Sequence, residues 1–203
     1  MKQRVFTVVA VVLALIQVAL VLLSWIVATL SPSLPLRSLL GGEGLRWFFG
    51  TFVDNVASPL LAWLVLYSMA YGSLVRSGLC KAVSSVFTGV ELAYRQRHAL
   101  YSAFVAMLAF VAVVVMLAFV PHAPLLGLSG SLFPSAFSAS LVALSAFAVI
   151  MLSCIYGAAC GTFGSIGDFF GSLYAGIVMA APLYPLYVLA VQLYWSVRFV
   201  FAV

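Results

Sequence analysis

Four stretches free of charge organise this chain, and each is long enough to be read as membrane-crossing helix. The first lies between Arg4 and Arg37, with its apolar part running from Val5 to about Leu30 and ending at the Ser31-Pro-Ser-Leu-Pro35 breaker. A secretory leader has an apolar core of only about 7–15 residues before a small-residue cleavage site. This run is longer and carries Trp25 near its far end, which predicts a retained first span over residues 5–30. A second span is predicted over 56–75, with Pro59 in its first turn, where a missing N–H costs little. From His98 to Gly167 there is no Asp, Glu, Lys or Arg. The Pro/Gly/Ser-rich section Pro121–Ser135 divides that run into spans over 99–120 and 136–158. A fifth span is predicted over 170–201, and Pro182 and Pro185 within it are candidates for a kink or break.

The segments between the spans carry the polar residues. Over 36–55, Arg37, Glu43, Arg46 and Asp54 alternate with Trp47, Phe48, Phe49 and Phe52. Aromatic residues and snorkelling arginines suit the headgroup zone, so a short interfacial helix is expected there. Over 76–98, Arg76, Lys81, Arg95 and Arg97 surround the single acid Glu91. Glu91 stands four residues before Arg95, a spacing that favours a helical ion pair. An amphipathic linker helix resting on an anionic leaflet is expected.

Composition excludes a soluble domain: 66% of the 203 residues are hydrophobic and 6% charged, against roughly 25% charged in water-soluble domains. The net charge of +5 is accounted for by an orientation signal without a nucleic-acid partner. With the N-terminus inside, Lys2, Arg4, Arg76, Lys81, Arg95 and Arg97 fall on the cytoplasmic side, and Arg37, Arg46 and Arg198 outside. The expectation is therefore an all-α integral membrane protein, a single transmembrane domain over 1–203 with about five spans, N-in and C-out. Cys80, Cys154 and Cys160 include no CxxC pair, and no cofactor or metal site is expected.

Motifs that could carry chemistry are sparse. Gly127-Leu-Ser129-Gly130 matches the GxSG pattern of intramembrane serine proteases, whose serine needs a histidine base in reach. The two histidines are His98, at the opposite predicted face, and His122, in the same loop, so a glycine-serine loop is the better reading and no enzyme is expected. Gly157 and Gly161 form a GxxxG pair, either a helix-packing contact or a flexible turn. Asp54, beside Asn55, and Asp168 are the acids nearest the bilayer, both at span ends. No acid, histidine or lysine falls in mid-span, so no coupling site for a carrier is evident.

Two segments resemble the AbgT family of p-aminobenzoyl-glutamate transporters. In the first, Ser38-Leu39-Leu40, Glu43-Gly44 and Arg46-Trp47 match a "SLLSxEGxRW" stretch, and Ser77-Gly78-Leu79 matches a later "SGL" turn. In the second, Leu132-Phe-Pro-Ser135, Tyr156-Gly157 and Gly161-Thr162 look like the "SPF…YG…GT" region, followed by the aromatic-rich helix to Trp195-Ser196. Family members are much longer and hold substrate in two re-entrant hairpins, which this sequence lacks. The resemblance thus implies the outer scaffold of such a transporter, a homodimer in a bacterial inner membrane. Its substrate residues match no position here. The expected function is a scaffold or accessory subunit with an unidentified membrane partner. The alternatives are a minimal carrier of a small organic anion built by an oligomer and, more remotely, an intramembrane hydrolase.

Overall fold

A computed structural model describes residues 2–31, 36–89, 91–119 and 136–201. The described residues are helical, without a strand, in the order α1 (Lys2–Leu30), α2 (Gly42–Gly50), α3 (Phe52–Val56), α4 (Pro59–Ser77), α5 (Leu79–Phe87), α6 (Tyr94–Phe119), α7 (Ala136–Cys160), α8 (Ile166–Ala180) and α9 (Leu183–Phe201). Helices α1, α4, α6 and α7 are long and apolar enough to cross a membrane, and α8 with α9 makes a fifth if the broken pair is one span. An uninterrupted helix is the natural form for such segments, because it satisfies every backbone N–H and C=O internally where no water can. The Pro121–Ser135 section lies outside the described residues, and with it Ser129, His122 and the Leu132–Ser135 match.

Helix boundaries depart from the expected spans in instructive places. Helix α4 starts at Pro59 itself, whose fixed φ and absent N–H suit a first position. Helix α6 starts at Tyr94, five residues inside the expected linker, because Tyr94-Arg-Gln-Arg-His98 is helix-competent. Glu91 therefore stands before the helix, and its expected ion pair with Arg95 does not form. The linker is instead two pieces, α5 and an irregular stretch, set off by left-handed Gly78 (φ 80°) and Gly89 (φ 69°). Of the two proline candidates, Pro182 lies in the break between α8 and α9. Pro185 sits in the first turn of α9, where it interrupts nothing.

The chain forms two units. One comprises residues Met1–Ala62 with Ala180–Val203 and is built on α1 packed against α9. Gln17 donates from Nε2 to Ser196 Oγ at 2.8 Å, a side-chain hydrogen bond between the two helices. Beyond α1 the chain turns back, so that Arg37 N donates to Val200 O (3.1 Å) and Leu39 N to Ser24 Oγ (3.2 Å). Gly44 of α2 is buried against that return: a Cβ there would stand 2.6 Å from Leu39 Cα. Trp47 stacks on Phe199 with ring centroids 4.4 Å apart. Tyr187 Oη donates to Val56 O (2.9 Å) and shares a 2.6 Å hydrogen bond with Ser58 Oγ, tying α9 to the start of α4.

The other unit, Trp63–Met179, contains α5, α6 and α7 and most of α4 and α8. Helices α6 and α7 pack along their length with buried Ala99, Ala103, Ala146 and Ser153. Small side chains bring helix backbones close where lipid supplies no hydrophobic drive. Leu79 and Ala82 of α5 join Ala99, Ala103 and Tyr156 in one cluster. On α6 the large aliphatics Val105, Leu108, Val111 and Met116 remain exposed, an apolar jacket of the kind that lipid covers.

Candidate functional site

Charged side chains of the second unit gather where α4 and α7 end and α6 and α8 begin. Arg76, in the last turn of α4, donates from Nη1 to Gly171 O of α8 at 3.1 Å. A Cβ on Gly171 would lie 3.4 Å from the same nitrogen, a close van der Waals contact. Arg95 donates from Nε to Ala159 O at 3.3 Å, near the C-terminus of α7. Its guanidinium lies against Gly161, whose left-handed φ of 80° ends that helix. A cation at a helix C-terminus meets carbonyls that no turn can satisfy, with the negative end of the macrodipole behind them.

Asp168 opens α8. Its Oδ2 accepts from Gly164 N (3.0 Å), Ser165 N (2.9 Å) and Ser165 Oγ (3.0 Å), while Asp168 N donates to Ser165 Oγ (3.2 Å). Ser165-x-x-Asp168 is thus a reciprocal capping box, which fixes the helix start and places a negative charge at its positive end. Arg76 and Asp168 line one pocket of about 250 Å³ with Thr162 and Phe163. Both residues are hydrogen-bonded to neighbouring backbone, and the pocket carries charges of both signs. Among the described residues no three His, Cys, Asp or Glu side chains come together to hold a metal.

The residues singled out in the sequence divide between the two units. Ser38, Leu39, Leu40, Glu43, Gly44, Arg46 and Trp47 lie at and before α2. There Leu39 and Gly44 are buried, and Glu43 makes an exposed 3.8 Å ion pair with Arg37. Such a surface pair contributes about 0–1 kcal/mol. Ser77, Gly78, Tyr156, Gly157, Gly161 and Thr162 belong to the other unit, where Leu79 and Tyr156 share the core. Gly157 makes room for the Phe163 ring, and its carbonyl accepts from Phe163 N at 3.1 Å. Within the chain, then, Gly157 and Gly161 shape the end of α7, whereas the glycines that bring helices together are Gly72 of α4 and Gly176 of α8. Asp54 is exposed on α3; its neighbour Asn55 is buried and donates from Nδ2 to Thr51 Oγ1 (3.2 Å).

Sequence reasoning missed the capping box and the two arginine-to-carbonyl contacts. The Ser165-x-x-Asp168 spacing was a sufficient signal for the first. Nothing in the sequence pairs Arg95 with Ala159, which are joined by the packing of α6 on α7 alone. Comparison with models of known protein families, with curated proteins and with solved structures finds no match to this chain.

Proposed function

We propose that this chain is a membrane-embedded scaffold or accessory subunit, similar to the outer framework of an AbgT-type transporter, without catalytic chemistry or a complete solute site of its own. The observation that carries this reading is how five buried serines are used, while the buried Ser153 and Gln192 side chains have no hydrogen-bond partner among the described residues. Ser24, Ser68, Ser73, Ser77 and Ser172 are buried, and each turns its hydroxyl back on a carbonyl of its own helix three residues earlier. Serines so satisfied act as small packing residues, not as a polar lining for a solute path. The resemblance at Ser38–Trp47 adds a homodimer and a bacterial inner membrane to the proposal, and the asymmetry of the basic residues adds an N-in, C-out orientation.

Reconstitution tests it. Purified protein in liposomes should take up no p-aminobenzoyl-glutamate above empty vesicles, while pull-down from membranes should recover a specific membrane partner. Uptake by the protein alone would overturn the reading.

One observation favours a second reading, a minimal carrier of a small organic anion assembled from several copies. The interruption of α8 and α9 at Pro182 is the kind of broken helix that carriers use to expose backbone dipoles to solute. Transport that is lost in Pro182→Ala but kept in Lys81→Ala would select it.

A further inference from the structure

The apolar jacket of the second unit is interrupted by a groove of about 260 Å³ between α5 and α6. Val83 and Val86 of α5 form one wall, Leu100, Ala103, Phe104 and Met107 of α6 the other, and its lining is almost wholly apolar. The groove does not end blindly. A second cavity of about 550 Å³ shares Val86 and Leu100 with it and adds Gly89, Glu91, Leu92 and Arg97. Groove and cavity together are amphipathic: a hydrocarbon slot opening into a space lined by one cation and one anion.

Arg97 and Glu91 both line this space, are both exposed, and make no ion pair with each other. Neither side chain forms a hydrogen bond with another described residue. Opposite charges left apart across a cavity suit a ligand that carries both charges itself. Depth points the same way. Arg97 immediately precedes the run without Asp, Glu, Lys or Arg that begins at His98, so with α6 as a membrane span the mixed-charge cavity falls at headgroup level. The groove then follows α6 from Leu100 to Met107, about 10 Å of helix at 1.5 Å per residue. That reaches roughly two thirds of the way through one leaflet's hydrocarbon, half of about 30 Å.

We propose that groove and cavity form a binding site for one phospholipid whose headgroup carries both a phosphate and a primary ammonium, the phosphate held by Arg97, the ammonium by Glu91 and an acyl chain by the α5–α6 groove. Guanidinium is the favoured partner of phosphate because its planar donors match the oxygens. A carboxylate accepts hydrogen bonds from a primary ammonium but none from a trimethylated one, which has no N–H. An anionic headgroup without an amine would leave Glu91 facing like charge. The site therefore discriminates among headgroups, which a passive annular contact does not. The inference stands independently of the scaffold reading, since a scaffold or a carrier could hold such a lipid.

Purified full-length protein in detergent micelles, titrated with phosphatidylethanolamine, phosphatidylcholine or phosphatidylglycerol of identical chains, tests it by native mass spectrometry. Phosphatidylethanolamine is expected to bind about tenfold tighter than the other two, the discrimination that one charge-assisted hydrogen bond supplies. Glu91→Gln should abolish that preference while leaving binding measurable. Arg97→Gln and Ala103→Trp should weaken all three lipids, through loss of the phosphate contact and filling of the groove. Equal binding of the three lipids by the unaltered protein overturns the proposal, as does an unchanged preference in Glu91→Gln. Should Ala103→Trp fail to fold, the Glu91→Gln comparison still decides, because that side chain is exposed and bonded to nothing that holds the fold.

Discussion

Gly72 and Gly176 meet backbone to backbone where α4 crosses α8. A Cβ on Gly72 would lie 2.5 Å from Ser172 O, and one on Gly176 would lie 2.8 Å from Gly72 Cα while overlapping Ser68 O. The obstructing atoms are backbone, so relief requires the helices to separate. Gly176→Ala is expected to destabilise the protein by about 1–3 kcal/mol, the range for overpacking a tight contact. Gly50→Ala, with no atom near its added Cβ, should be neutral or slightly stabilising, since alanine is the better helix former. Thermal unfolding in micelles compares the two, and equal melting temperatures would remove the crossing from the forces that hold this unit.

That crossing shows how much of the fold was legible. The long helices were, because runs without charge and their proline-rich borders carry the signal residue by residue. The crossing was written less plainly, as Ser68-x-x-x-Gly72 and Ser172-x-x-x-Gly176, two small-xxx-small pairs that emerge only when serine is counted with glycine. The more conspicuous Gly157-x-x-x-Gly161 shapes one helix end. Charge at the end of the second unit was visible as Arg76, Lys81, Arg95 and Arg97, but its geometry was not. Which carbonyl an arginine reaches depends on tertiary packing, and no local pattern encodes it.

Trp47 on Phe199 is the aromatic tie between α2 and α9. The Arg37 guanidinium lies 5.7 Å from the same Phe199 ring. Stacked pairs contribute roughly 0.5–1.5 kcal/mol beyond their buried area. Trp47→Ala should therefore loosen α2 from α9, lowering stability by at least about 1 kcal/mol, while Trp47→Phe keeps most of the contact. A double-mutant cycle with Phe199→Ala checks it: strictly additive losses would show that the rings merely adjoin.

The Gln17–Ser196 hydrogen bond is a polar link between α1 and α9. Interhelical hydrogen bonds between such helices average about 0.6 kcal/mol, because the separated helices also find partners. Gln17→Met and Ser196→Ala should each lose under about 1 kcal/mol, and the double variant should lose no more than the larger single loss. Helix-by-helix hydrogen exchange reads the effect at α1 and α9; a loss of several kcal/mol from either variant would assign these residues a role beyond this bond.

Cys80 is exposed at the start of α5, in the basic connection between α4 and α6 that carries Arg76, Lys81, Arg95 and Arg97. On the proposed N-in orientation, which follows the cytoplasmic bias of basic loops, all of these residues lie inside, with the end of the second unit where α4 and α7 finish. Cys154 and Cys160 are only half-buried, so the informative background is Cys154→Ala with Cys160→Ala. In that background a membrane-impermeant maleimide should label Cys80 in inverted vesicles and leave it unmodified in intact cells. The opposite pattern would turn the protein over, placing Lys2 and Arg4 outside and leaving six of nine basic residues on the side where the rule admits fewest. Because Glu91 and Arg97 follow Cys80 without an intervening span, the same labelling also fixes the leaflet from which the α5–α6 groove would draw its lipid.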